Sequence, residues 1–189
     1  MTSVRFINNF GIPESRYTGI PLYRNTVIPE YRNTENNNQN NDKNQNIMTI
    51  HQLSIFIENR SGTLIKVLEV LKEAKIQIVA STIADTAEYG IYRLICSEPL
   101  RAYDELKKAG VAVALSDVLA LELDDEPGRA ADAVKIFSDA GISIAYMYTF
   151  LLRGKGILVF RTDNREKARE AIILNKLKFI AEQDLSKWV

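Results

Sequence analysis

Leu53, Ile55 and Ile57 alternate with Gln52, Ser54 and Glu58, the period-two spacing of a strand buried on one face; Phe56 is a single large apolar group on the other. Leu64, Val67, Leu68 and Leu71 then recur at helical intervals and predict an amphipathic helix. The run "IQIVASTIA" predicts a second strand, the polar "DTAEYG" a turn and "GIYRLICS" a third strand. In "SEPLRAYDELKKAG" helical spacing returns, with Ser97 expected as the cap, Pro99 in the first turn and Gly110 at the end. A short strand, "VAVAL", closes a series of strand, helix, strand, strand, helix, strand.

The series occurs twice. A displacement of 66 positions, the separation of Gly62 from Gly128, aligns Leu53 with Leu119, Ala74 with Ala140, Ile76 with Ile142, Ile78 with Ile144, Gly90 with Gly156 and Ile91 with Ile157 without a gap. "IFIENRSGTLIKVLEVLKEAKIQI" thus corresponds to "LELDDEPGRAADAVKIFSDAGISI". The second copy's strands are expected at 118–124, 142–150, 156–162 and 178–181, and its helices at 129–140 and 165–175.

A βαββαβ unit is the ferredoxin-like arrangement, so the fold class is α+β: two such modules, 48–117 and 118–189, each an antiparallel sheet with helices on one face. One module of about 66 residues has a marginal core. Its uncovered sheet face is expected to carry Phe56, Tyr92, Leu94, Leu158 and Phe160, so the two copies are expected to pack together and to form a homodimer with a second chain.

Composition narrows the function. The 24 basic and 24 acidic residues balance, which argues against a nucleic-acid surface. The lone Cys96 lies in an apolar strand run and reads as a buried thiol in a reducing, cytoplasmic setting. The sequence suggests neither a membrane span nor a signal core. Residues 1–47 hold Pro13, Pro21, Pro29, two copies of "YRNT" and the run "NTENNNQNNDKNQN". They lack the apolar surface to offset chain entropy and are expected to be disordered, with Met48 as the expected true start. A docking tail using its Tyr and Arg residues is the functional alternative for this stretch.

The turn after the first strand, "ENRSGTL" in one copy and "DDEPGRA" in the other, carries the chemistry. Glycine ahead of a helix lets backbone amides approach a ligand, and the first-turn amides with the helix dipole favour a carboxylate. A neighbouring Asn or Asp side chain accepts from an ammonium group. One small loop therefore complements both ends of a free amino acid.

First strand, Asn or acid, Pro-Gly, amphipathic helix and Ile-rich second strand together resemble the pattern of tandem ACT domains, the small amino-acid-sensing modules of metabolic regulation. The resemblance covers 48–189 and is strongest to short stand-alone proteins of two such domains with no enzyme attached. It implies an amino-acid-binding regulatory protein that needs no cofactor, with a free amino acid held at the strand-to-helix loops against the second strand of a partner domain. Carried over, one site comprises Asn59, Arg60, Ser61, Gly62, Thr63 and Leu64, and the other Asp124, Asp125, Glu126, Pro127, Gly128 and Arg129. The walls come from Val79, Ala80, Ser81 and Thr82 and from Ala145, Tyr146, Met147 and Tyr148. Ser61 replaces the usual proline, so the first loop is expected to be less stiff but friendlier to a carboxylate. Three acids in the second loop are expected to attract an ammonium and oppose a carboxylate, which makes Asn59–Leu64 the tighter site.

Plainer readings stand beside these. Glycine before a helix is often only a turn, and acids there suit the dipole; Tyr146 and Tyr148 suit interface packing better than specific ligand contacts. "DDE" has no matching local ligand for a metal site. His51 reads as a solvated residue ahead of the first strand. No phosphate loop, dinucleotide fingerprint or nucleophile elbow is present, so the chain is expected not to be an enzyme. The alternative to the sensor is a non-catalytic regulatory subunit or interaction module that docks a metabolic enzyme without a small ligand.

Overall fold

The computed structural model describes residues 48–85 and 89–185. The expected disorder of 1–47 and the middle of the "DTAEYG" turn lie outside the described residues. The elements run β1 (Ile50–Glu58), α1 (Thr63–Glu73), β2 (Ile78–Asp85), β3 (Tyr89–Cys96), α2 (Pro99–Lys108), β4 (Val113–Asp124), α3 (Arg129–Asp139), β5 (Ile144–Leu152), β6 (Lys155–Thr162), α4 (Arg165–Leu174) and α5 (Glu182–Leu185). The strands form one six-stranded antiparallel sheet in the order β2-β3-β1-β4-β6-β5.

At the centre of that sheet the two expected modules join into one extended sheet. The closing strand of the first copy and the opening strand of the second are a single strand, β4, and the expected boundary at 117/118 falls inside it. Its first half pairs with β1, up to Ile50 opposite Val118, and its second half pairs with β6, from Leu119 opposite Phe160 onward. No glycine or proline interrupts Val113–Asp124, so nothing breaks the extended backbone. The expected last strand at 178–181 shrinks for the same reason. Because β1 occupies that edge of β4 as far as Val118, the returning chain bridges only Leu121 to Phe179, with Glu122 N–H donating to the Lys178 carbonyl at 2.8 Å and Ile180 N–H to that of Ala120 at 2.9 Å.

Residues opposite one another on a ladder share a face. Leu53 faces Leu94, Ile55 faces Tyr92, Leu119 faces Phe160 and Leu121 faces Leu158, and all of these lie under the helices. In the first copy they pack on Val67, Leu71, Ala102 and Leu106. In the second they pack on Ala133, Phe137, Ala168 and Ile172, with the Phe137 and Phe160 ring centroids 4.8 Å apart. This corrects the expected uncovered face: of the five residues placed there, only Phe56 belongs to it, since the other four share parity with the first strand's helix-side residues. Cys96 is buried, and burial pushes its thiol up to about 11. Ser97 does not cap α2; its hydroxyl accepts from Gln77 N–H at 3.2 Å, and the N-cap is Glu98 without a side-chain bond.

The face away from the helices forms a third core of Ile50, Ile95, Val118, Ala120, Ile157, Val159, Ile180 and Leu185. It exists because the sheet curls on itself. In a flat sheet β3 and β5 would be four strand spacings apart, roughly 19 Å. Yet the Arg93 guanidinium of β3 lies 4.0 Å from the ring centre of Tyr146 in β5. The twist of the strands thus brings the two copies together back to back. No described helix is long and apolar enough to cross a membrane.

Candidate functional site

Both strand-to-helix loops turn on a left-handed glycine: Gly62 at φ 91° and Gly128 at φ 93° are the N-caps of α1 and α3. The bonding repeats as well. Arg60 N–H donates to the Glu58 carbonyl (2.7 Å) and Thr63 N–H to that of Arg60 (3.3 Å); Glu126 N–H donates to Asp124 (2.9 Å) and Arg129 N–H to Glu126 (3.4 Å). The first loop lacks the proline but is held otherwise, by the Thr63 hydroxyl lying 2.7 Å from the Glu58 carbonyl and 2.9 Å from that of Arg60. The expected looseness of that loop is therefore answered one residue past the glycine.

Neither glycine supplies a side-chain cap, so the amides of Leu64 and Ile65, and of Ala130 and Ala131, have no acceptor within their helices. A Cβ built on either glycine would meet nothing within 4 Å. Space lies open above the turn, and only the backbone conformation excludes other residues.

In the second loop two of the three acids expected to oppose a carboxylate are paired with bases. Lys155, the first residue of β6, lies 2.7 Å from the Asp124 carboxylate, and this bond holds the Asp124 carboxyl below its ordinary range. Arg129 reaches Glu126 at 2.6 Å and Asp132 at 3.8 Å. Among the described residues, Asp125 alone of the three has no ion pair. In the first loop Arg60 lies 3.1 Å from Glu58. A cleft of about 330 Å³ adjoins the second loop, lined by Asp124, Asp125, Glu126 and Arg129 and walled by Thr149, Phe150 and Leu151 of β5. A second, of about 280 Å³, lies between the loop, α3 and Lys176–Lys178.

The expected strand walls divide between the sheet faces. Ser81 and Met147 pair with Leu94 and Phe160 and are exposed on the helix side of the two edge strands; Ala145 is also exposed, whereas Val79 and Ala80 join the inner core. Thr82, Tyr146 and Tyr148 turn inward. Fully buried Gln52 donates to the Tyr146 hydroxyl at 2.7 Å and accepts from Tyr148 at 3.0 Å, and burial raises the Tyr148 phenol. Within one chain these tyrosines seal the two copies, and it is Thr149–Leu151, one turn of the alternation further on, that border the second loop.

Sequence reading passed over a second charged cluster. His51 lies inside β1, not ahead of it. Its N–H donates to Glu182 at 2.7 Å, its Nδ1 lies 3.4 Å from the same carboxylate and its Nε2 3.8 Å from Asp117, which pairs with Arg165 at 2.5 Å. The Glu182 hydrogen bond raises the imidazole above its ordinary value against the opposing effect of burial. Among the described residues no group of three or more His, Cys, Asp or Glu is disposed to hold a metal ion.

Residues 48–189 match a family model described as an ACT domain pair. The crystal structure of protein BT0572 from Bacteroides thetaiotaomicron is 39% identical, with a TM-score of 0.72 over 75% of this chain and 99% of that one. The ligand-free regulatory subunit of aspartate kinase from Thermus thermophilus shares the fold at 14% identity, with a TM-score of 0.50 over 69% of this chain and 94% of that one. A search of curated proteins returned no match.

Proposed function

The chain belongs to the ACT domain pair family, and we propose that it is a non-catalytic regulatory protein whose effector is a free amino acid. The observation that carries this reading is the duplicated turn: two uncapped helix N-termini, each behind a left-handed glycine with open space above it. The effector's carboxylate sits on the amides of Leu64 and Ile65, or of Ala130 and Ala131. Its ammonium meets Asn59 in the first loop and Asp125 in the second.

The neutralisation of Asp124 and Glu126 by Lys155 and Arg129 keeps the second loop available to a carboxylate, and that loop already has a walled cleft. In this reading a partner chain completes the sites. Among the described residues β2 and β5 end the sheet with unpaired edges that expose Ile83, Met147 and Leu151, so a homodimer brings an edge strand of one chain to the loop of the other. The effector acts by favouring one arrangement of the chains, and one with equal affinity for both would switch nothing.

Thermal unfolding of the full chain with each of the twenty amino acids at millimolar concentration tests the proposal. A ligand at 100 times its dissociation constant stabilises the fold by about 2.7 kcal/mol, a shift of several degrees. The expected result is a selective shift that Gly62→Val or Gly128→Val removes while the circular dichroism spectrum is kept. A flat profile from well-folded protein would overturn the reading in favour of a module that docks an enzyme directly.

A further inference from the structure

Among the described residues, the inner sheet face carries a cation without a counter-charge. Arg93 stacks its guanidinium on the Tyr146 ring at 4.0 Å. Its Nε is buried without a hydrogen-bond partner, and no carboxylate among the described residues pairs with it. The ladders place Ser54 on one side of it and Thr82 on the other, on the same face. The Ser54 hydroxyl oxygen already accepts from Gln52 at 3.3 Å, which leaves its proton free to be donated.

One step further along the same face the sheet is open and apolar. Phe56 is 44% exposed; its ladder partner Ile91 is half-buried and in turn pairs with exposed Ala84. A cation flanked by two hydroxyls thus stands at the end of an apolar floor. A guanidinium desolvated on one face by an aromatic ring gains more from an incoming anion than a hydrated one does. Its ladder neighbours on this face are Ser54, Thr82 and, beyond Ser54, Ala114; none is an acid that would hold an ammonium group.

We propose that this face binds a small carboxylate with an apolar body and no required amine, its carboxylate on Arg93, Ser54 and Thr82 and its chain on Phe56 and Ile91. The site is separate from both glycine loops and does not depend on them. The probe is 4-methyl-2-oxopentanoate, titrated into the full chain and followed by calorimetry and by the Arg93 Nε–H resonance. The expected result is saturable binding that moves that resonance, is weakened about tenfold or more by Phe56→Ala, is lost in Arg93→Met, and is unchanged in Gly62→Val and Gly128→Val. Phe56→Ala serves as the control should Arg93→Met fail to fold, since its side chain lies outside the cores. No saturable binding up to tens of millimolar, or binding indifferent to both substitutions, would overturn the proposal. So would self-association through this face that Phe56→Ala abolishes, which would assign it to a second copy.

Discussion

Gln52 ties the two copies together through side-chain hydrogen bonds, and replacing it with leucine measures that coupling. The side chain is fully buried, and leucine matches its volume closely enough that little cavity forms. What is lost is the 2.7 Å bond to Tyr146, the 3.0 Å bond from Tyr148 and the longer 3.3 Å bond to Ser54. A buried neutral hydrogen bond is worth about 1 kcal/mol net, and a hydroxyl left facing an apolar group costs about 1–3 kcal/mol. Both tyrosines are only partly buried, so water recovers some of that cost, and Gln52→Leu is expected to destabilise the chain by about 2–3 kcal/mol. Tyr148→Phe removes one of the same bonds and should cost about 1 kcal/mol. Because the two share a bond, the double variant should lose about 1 kcal/mol less than the sum of the singles. Urea unfolding followed by circular dichroism reads all three values, as one transition if the copies form a cooperative unit. A Gln52→Leu protein within about 0.5 kcal/mol of the parent, or strictly additive singles, would refute the curled sheet and its seam.

The repeat predicts two stabilising substitutions: Lys75 and Lys176 sit at φ 55° and 53°, where the other copy has Gly141 and Gly110 at 66° and 75°. Lys75→Gly and Lys176→Gly should each raise the urea-derived stability by about 0.5–1 kcal/mol, since the relief of a left-handed side chain exceeds the added freedom of the unfolded chain. The imidazole of His51 is raised, so its contribution is fully present below its unfolded value of about 6.5 and is lost as pH rises through the higher folded one. Urea midpoints measured from pH 5 to 9 should therefore fall across that window in the parent and lose this component in His51→Gln. The buried Cys96 thiol, pushed up to about 11, should resist iodoacetamide at pH 8 in the folded chain and react once the chain is unfolded in urea.

Much of this architecture is legible in the chain because local pattern and tertiary structure agree. The 66-residue displacement that aligns Gly62 with Gly128 reappears in the φ angles of both glycines, in the left-handed helix ends, and in the strand irregularities at Ile78/Ala80 and Ile144/Tyr146. What the pattern does not carry is which partner takes an edge. Whether "VAVAL" ends one module or continues into the next depends on competition between β1 and Lys178–Ile180 for the same side of β4, a non-local matter. Assigning Tyr92 and Phe160 to a face needs the ladder register, which alternation within one strand leaves open. At the loops the glycines were readable from sequence, whereas the charge was not: Lys155 reaches Asp124 across 31 positions through a strand pairing. Gln52 and Arg93 read as single polar residues in apolar strands, and a polar residue at a position that a curled sheet buries is the signal that marks them.

The most direct test of the central claim is a ¹H–¹⁵N correlation spectrum of the full chain titrated with the amino acid that gives the largest thermal shift. Saturating shifts are expected to centre on the amides of Leu64 and Ile65 or of Ala130 and Ala131, the donors that the two glycine turns leave without acceptors within their helices. Shifts centred elsewhere on the fold, with those amides unmoved, would contradict it.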